Sequence, residues 1–343
     1  MSAVFLDPDE VTRRLTEWAR AELYADAEVS GVRRLPGHSG ISYVFTVHPA
    51  ERRFVIRFAP PGVRGSEGAD VVRQAPVLTA AAEGGVPVPA VRAWNRDGTR
   101  FGAEYLVVDF VEGRSIGDLF VPGAAPAGDF DVTAVFRDAV RVLAAVHRVD
   151  CRSLRWWDRP RDLTTMIDYL VPALRRAEDP SWLDHGLALR QALLDRLPRA
   201  PRIGLLHNDF YSNNWIVGHD DRIAAVLDWE TSCLGPVGAD VGWLCMMYDP
   251  PSWADSQRRS MGWHPTPDDL LHWYAEAGGP AAEEPDWPSD ANWYRAFAGF
   301  RLVSGTCHYL RLHRKGYRVD ATWEHFADSV PALLTRAMEL LHH

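Results

Sequence analysis

An α+β fold, strand-rich at the start and helical thereafter, is predicted by three features of this sequence. Short runs rich in β-branched and aromatic residues, Val32–Leu35, Ser42–Val47 and Arg53–Phe58, follow one another with only a glycine–serine loop and a polar turn between them. Farther along, residues recur at helical spacing, as in Phe136, Val140, Leu143, Ala144 and His147, and again in Trp293, Phe297, Phe300, Cys307 and Leu310. With 343 residues, 47% of them apolar, and no internal repeat or heptad array, the chain can bury a sizeable core as one large domain or two lobes.

Taken in order, Asp7-Pro8-Asp9-Glu10 is a capped helix start, with proline in the first turn and acids at the positive end of the dipole. Val11, Leu15, Trp18, Ala19 and Leu23 then fall on one face, which predicts an amphipathic helix over residues 8–24. The three strands follow. The loop from Gly37 through Ser39 and Gly40 to Ser42 is either a plain hairpin connection or a nest of amides and hydroxyls able to cradle phosphates. Pro76 starts or kinks the next helix, and Glu104–Asp109 reads as a strand continuing into Phe110-Val111-Glu112-Gly113. After the helix ending near His147, residues 155–200 are helical and polar. Trp156, Trp157, Tyr169 and Trp182 lie there at spacings that read as core. Ile203–Leu206, Trp215–Val217 and Ala224–Leu227 are short strands, the last two joined by the polar turn His219–Arg222. A long amphipathic helix ends at the cationic Lys315-Gly316. Pro122–Ala127 and Ala281–Pro288 are expected to be loose loops.

Composition excludes several classes. The net charge is −9 and no basic run or basic–aromatic stripe occurs, which argues against nucleic-acid binding. No apolar run reaches the length of a membrane span, and no basic-then-apolar leader opens the chain. Cys151, Cys233, Cys245 and Cys307 form no C-x-x-C pair and read as reduced thiols of a cytoplasmic protein. Lys315 is the only lysine, so any phosphate held in the strand-rich part must be held by arginine or backbone.

The chemistry concentrates in the loop 207–214, His207-Asn208-Asp209-Phe210-Tyr211-Ser212-Asn213-Asn214, and in Asp228-Trp229-Glu230. Asn214 lies five residues after Asp209, and Asp228 fourteen after that. One carboxylate can orient or deprotonate an attacking hydroxyl, while an amide oxygen and a second carboxylate hold Mg²⁺ against nucleotide phosphates. The alternative is a solvated polar turn. The spacing H-x-D-x-x-x-x-N followed by a distal Asp resembles the signature of the aminoglycoside phosphotransferase and choline kinase superfamily, kinase-like enzymes that phosphorylate small molecules.

That resemblance implies a bilobal protein-kinase-like fold. Residues 1–112 would form the nucleotide-binding lobe with an antiparallel sheet, and residues 113–343 a mainly helical lobe carrying the 207–214 loop and the acceptor pocket. It implies Asp209 as the catalytic residue, Asn214 and Asp228 as metal ligands, and His207 and Asp240 as supports of the loop; Asp240 closes a Gly235–Asp240 segment in which Pro236 replaces the family's first Asp. Val55-Ile56-Arg57 stands where kinases carry V-A-I-K, so Arg57 is either the phosphate-binding cation or a surface strand arginine. Gln74 stands where the ion-pairing helix glutamate is expected, with Glu67 or Asp70 as substitutes. The backbone from Asp109 to Val111 corresponds to the hinge that meets adenine. ATP, or GTP in its place, and Mg²⁺ are the implied cofactors. The acceptor is a small-molecule hydroxyl, of an aminoglycoside-like antibiotic, a hydroxylated metabolite or a natural-product intermediate. Two other readings remain open: a nucleotide-binding pseudokinase, suggested by Gln74, Pro76 and Pro236, and a metal-dependent hydrolase using the same carboxylates. Glu230 assists at the metal or merely sits beside it.

Overall fold

The chain divides into two units in the computed structural model, which describes residues 8–35, 41–59, 70–116, 130–255 and 264–342. The first unit holds the residues up to Glu112 together with Ala224–Ser232, and the second holds Gly113–Ile223 and Cys233 onward. Gly37, Ser39, Gly40, Glu67 and the Pro122–Ala127 loop lie outside the described residues.

In the first unit, helix α1 (Pro8–Glu22) precedes strands β1 (Glu28–Leu35), β2 (Ile41–His48) and β3 (Arg52–Phe58). Helix α2 (Gln74–Glu83) is followed by β4 (Val91–Asn95) and β5 (Tyr105–Asp109). The strands form one antiparallel sheet in the order β1-β2-β3-β5-β4. Leu15, Trp18 and Ala19 of α1 are buried with Phe45 and Val47 of β2 and Phe54 and Ile56 of β3. The Trp18 ring stands edge-on, 6.0 Å from Phe45 and 6.2 Å from Phe54. Because side chains alternate along a strand, burying Phe54, Ile56 and Phe58 on that face sends Arg57 to the other. Antiparallel register sets Ser42 directly opposite Arg57, and cross-strand partners share a face. Pro76 falls in the first turn of α2, where a missing N–H leaves no helical bond unmade.

The second unit is mostly helical. Helices α3 (Val132–His147), α4 (Leu163–Leu174) and α5 (Pro180–Leu194) begin at Asp131, Asp162 and Asp179, each accepting a backbone N–H of its own first turn. Strand β6 (Ile203–Leu206) leads to the 207–214 loop and to β7 (Trp215–Val217), and β8 (Ile223–Val226) carries the chain into the segment that belongs to the first unit. Strand β9 (Cys233–Pro236) pairs antiparallel with β6 and runs into the wholly buried α6 (Gly238–Met247). Helices α7 (Pro267–Glu276), α8 (Trp287–Arg314) and α9 (Thr322–His342) complete the described residues. Close approach of α6 to α8 depends on Gly242: a Cβ there would lie 2.3 Å from the backbone carbonyl of Tyr294.

The α+β expectation matches this architecture, but two local expectations fail. Trp156 and Tyr169 are 77% and 69% exposed, so helical spacing misplaced them in the core. The expected loose loop at Ala281–Pro288 is built: a 3₁₀ turn spans Pro280–Glu283, and α8 starts at Trp287. Glu284 is buried and accepts the Arg202 N–H at 2.7 Å, which fixes this connection.

That anchor makes stability depend on pH. Burial pushes the Glu284 carboxyl from its ordinary 4.5 up to about 6, against the pull of the Arg202 amide. A carboxyl whose folded pKa lies above its unfolded one loses stability as pH rises between the two. Glu284→Gln removes the buried charge, so it should raise stability at pH 7 by about 1 kcal/mol, the charge relief being partly offset by an amide N–H without an acceptor. The gain should vanish below the ordinary carboxylate pKa; calorimetric melting across this window checks it.

Candidate active site

The 207–214 loop is held from below by one carboxylate. Asp240, in the first turn of α6, is fully buried, its Oδ2 accepting the His207 N–H at 2.7 Å and its Oδ1 the Asn208 N–H at 2.8 Å. His147 Nε2 lies 3.4 Å from the same Oδ2, and its Nδ1 bonds the Tyr274 hydroxyl at 2.7 Å. Two consecutive amides aimed at one carboxylate bend the chain, and Asn208 takes a left-handed conformation with φ 66°. Asparagine tolerates that region better than most residues. From the other side Arg301 of α8 donates through Nη2 to the Asn208 carbonyl, its guanidinium lying 4.2 Å from the Trp243 ring centroid. Burial pulls the Arg301 guanidinium below its ordinary pKa, while Asp209 and Asp240 oppose that shift.

Within the loop the side chains fix one another. The Asp209 N–H donates to His207 Nδ1 at 3.3 Å, which leaves the imidazole proton of the neutral ring on Nε2. Asn214 Nδ2 donates to the Asp209 carbonyl at 2.8 Å and to its carboxylate Oδ2 at 3.0 Å. Both amide hydrogens of Asn214 are therefore spent on Asp209, and its Oδ1 is the atom left for a cation. Phe210 and Trp215 are buried 5.3 Å apart, and the Tyr248 hydroxyl accepts the Ser212 N–H at 3.1 Å, pinning the far end.

A separate cluster forms in the first unit. Arg57 Nη1 reaches Gln74 Oε1 at 3.4 Å and Asp228 Oδ1 at 3.5 Å, and its Nη2 reaches Glu230 Oε2 at 3.4 Å. These three contacts are longer than the usual 2.7–2.9 Å of a charge-assisted hydrogen bond. Asp228 is itself left-handed, with φ 63°. Buried Trp229 holds the turn by donating to the Val226 carbonyl at 3.0 Å, and Arg73 fixes its end by donating to the Ser232 carbonyl at 2.8 Å.

Asp70 does not replace the missing helix glutamate, correcting that expectation: it caps the 3₁₀ turn before α2 and pairs with Arg96 at 2.9 Å. Gln74 and Glu230 stand at Arg57 instead. Asp109 spends its carboxylate on Arg92 and Arg52, and its N–H on the Ala90 carbonyl at 2.9 Å. The Phe110 N–H goes to the Arg53 carbonyl at 3.0 Å, and among the described residues the backbone of Val111 makes no hydrogen bond. Arg301 was missed by the sequence reading, although a lone guanidinium within Phe300-Arg301-Leu302-Val303 of an otherwise apolar stripe was a usable signal.

The donor types narrow the chemistry. Cys233, Cys245 and Cys307 have thiols pushed up to about 12 by burial, which removes them as nucleophiles. Among the described residues no group of three His, Cys, Asp or Glu side chains could hold a metal. No described helix is long and apolar enough to cross a membrane.

Comparison with known proteins gives the family and the fold. Residues 34–273 match the model of the phosphotransferase enzyme family. The chain is 30% identical over 277 residues to the Arabidopsis thaliana protein named probable acyl-CoA dehydrogenase IBR3, covering 74% of this chain and 32% of that one. It is 28% identical over 279 residues to acyl-CoA dehydrogenase family member 10 of Mus musculus, covering 78% of this chain and 25% of that one. The chain thus spans a quarter to a third of the length of these relatives. Among solved structures, a candidate aminoglycoside phosphotransferase from Ralstonia eutropha aligns with TM-score 0.76 at 25% identity, covering 96% of this chain and 98% of that one. The aminoglycoside phosphotransferase APH(4)-Ia, solved as a ternary complex with ADP and hygromycin B, shares the fold at TM-score 0.60 and 14% identity, with 96% of this chain and 98% of that chain covered. The fold is kinase-like, and the chain belongs to the phosphotransferase enzyme family.

Proposed function

We propose that this protein transfers the γ-phosphoryl group of ATP to a hydroxyl of a small molecule, with Mg²⁺ as the bound metal. The observation that carries this reading is the Asp209–Asn214 pair: a carboxylate presented by a braced loop, hydrogen-bonded to an amide whose oxygen is left for a cation. APH(4)-Ia with its nucleotide supports the choice of an adenine nucleotide, since it shares the fold. Arg57 would grip phosphate oxygens, a role that its permanent charge and its place beside Asp228 and Glu230 support. The region up to Glu112 would then serve as the nucleotide-binding part, with the Gly37–Ser42 loop and Val111 contributing backbone groups. Asn214 and Asp228 would hold Mg²⁺, which when bound neutralises charge on the phosphates.

The acceptor oxygen forms a bond to the γ-phosphorus as the bond to the β–γ bridging oxygen breaks. ADP leaves with that electron pair, and the acceptor's proton passes to the Asp209 carboxylate. The transition state is loose, so alignment and charge neutralisation contribute more than proton abstraction. Asp209 is kept from swinging by Asn214, while His207 accepts its N–H and Asp240 holds the two residues before it. A pseudokinase reading loses force with the Asp209–Asn214 pair formed, and Gln74 still gives Arg57 an oxygen partner.

Two variants divide the roles. A panel of hydroxylated small molecules with ATP and Mg²⁺, read by mass spectrometry for a phosphoryl gain, supplies the assay. Asp209→Ala should abolish transfer and leave ATP affinity nearly unchanged. Arg57→Ala should raise the nucleotide KM and lower kcat, costing about one to two decades in kcat/KM for the loss of a charge-assisted contact. Arg57→Lys should recover part of the loss by keeping the charge without the fork. Equal loss of ATP affinity in Asp209→Ala, or Arg57→Ala kinetics close to wild type, would overturn the assignment.

A further inference from the structure

The nature of the acceptor can be read from one face of α8, given the phosphotransfer reading, which sets the acceptor hydroxyl at Asp209. Arg301, Gly305 and His308 recur at helical spacing and share that face. Two helical turns separate Arg301 from His308, roughly 10 Å along the axis. At the near end Arg301 holds the Asn208 carbonyl, within electrostatic reach of Asp209. Midway, a Cβ added at Gly305 would meet no heavy atom within 4 Å, so the helix there faces open space. At the far end Arg176 Nη1 donates to His308 Nδ1, and the Arg318 guanidinium lies 5.2 Å from the Tyr309 ring centroid.

This end carries several guanidinium groups. Among the described residues neither Arg176 nor Arg318 forms an ion pair, and Glu178 and Glu324 are both engaged by Arg314. His308 is pushed below its ordinary pKa, first by burial and then by the charges of Arg176 and Arg318. It is therefore neutral near pH 7, accepting at Nδ1 and holding a donor at Nε2. Guanidinium forks fit carboxylate and phosphate oxygens, and Arg176 and Arg318 have no carboxylate partner among the described residues.

We propose that this face of α8 anchors an anionic group, a carboxylate or a phosphate, on an acceptor whose hydroxyl lies at Asp209. Cationic polyamine acceptors would be repelled at Arg176 and Arg318, which turns the acceptor away from aminoglycosides despite the family resemblance.

Matched ω-hydroxyalkyl compounds ending in a carboxylate, a phosphate, a methyl ester or an amine, over a ladder of chain lengths, test this. Calorimetric binding without nucleotide is the first readout and phosphoryl mass gain with ATP and Mg²⁺ the second. The anionic compounds should bind roughly tenfold or more tighter than the ester. The double variant Arg176→Ala/Arg318→Ala should erase that preference while leaving ester binding unchanged. Whichever of carboxylate and phosphate binds better identifies the anionic group. Equal binding of ester and anions, preference for the amine, no binding by any compound, or an anion preference that survives the double variant would each overturn the proposal. Anion preference without mass gain would instead retain this site and count against phosphotransfer.

Discussion

Everything the 207–214 loop does depends on the buried carboxylate of Asp240. Charge-assisted bonds to two successive amides are worth about 1.5–3 kcal/mol each when formed and cost more when one partner is left bare. Asp240 makes both inside a fully buried site, with His147 and through it Tyr274 as further partners. That grip offsets the left-handed strain at Asn208, of order 1 kcal/mol. Arg301 closes the arrangement by donating to the Asn208 carbonyl, so both backbone polar groups of the left-handed residue are engaged. Asp209, the next residue, inherits a backbone direction that it does not have to maintain itself.

The Arg57 cluster is built from charges rather than from backbone amides: a guanidinium faces two carboxylates and an amide oxygen, with contacts to them at 3.4–3.5 Å. Replacing the expected helix glutamate by Gln74 removes one negative charge from this set, and Glu230 restores it from the segment after β8.

Much of this was legible in the sequence because it is local. Strand alternation, the 207–214 spacing and the Asp228 turn depend on residues near one another along the chain, and Asp209 and Asn214 meet through a five-residue separation. Sequence reading failed where partners are distant. Arg301 finds Asn208 across 93 residues, and Glu230 finds Arg57 across 173. Asp70 looked like a substitute ion pair by position, yet a local cap and Arg96 claim it. Trp156 and Tyr169 show the limit of periodicity: helical spacing says which residues share a face, not whether anything covers that face.

In the proposed reaction Asp209 acts from a loop that Asp240 holds. Amide hydrogen exchange at His207 and Asn208 in Asp240→Asn, read beside kcat, tests that most directly. Asparagine keeps the shape but turns one acceptor oxygen into a donor facing a backbone N–H, a mismatch of about 1–3 kcal/mol. Exchange at those two amides should accelerate by roughly one to two decades, with kcat falling alongside it and ATP affinity unchanged. Fast exchange at both amides with wild-type kcat would contradict the account, because Asp209 would then act without the brace.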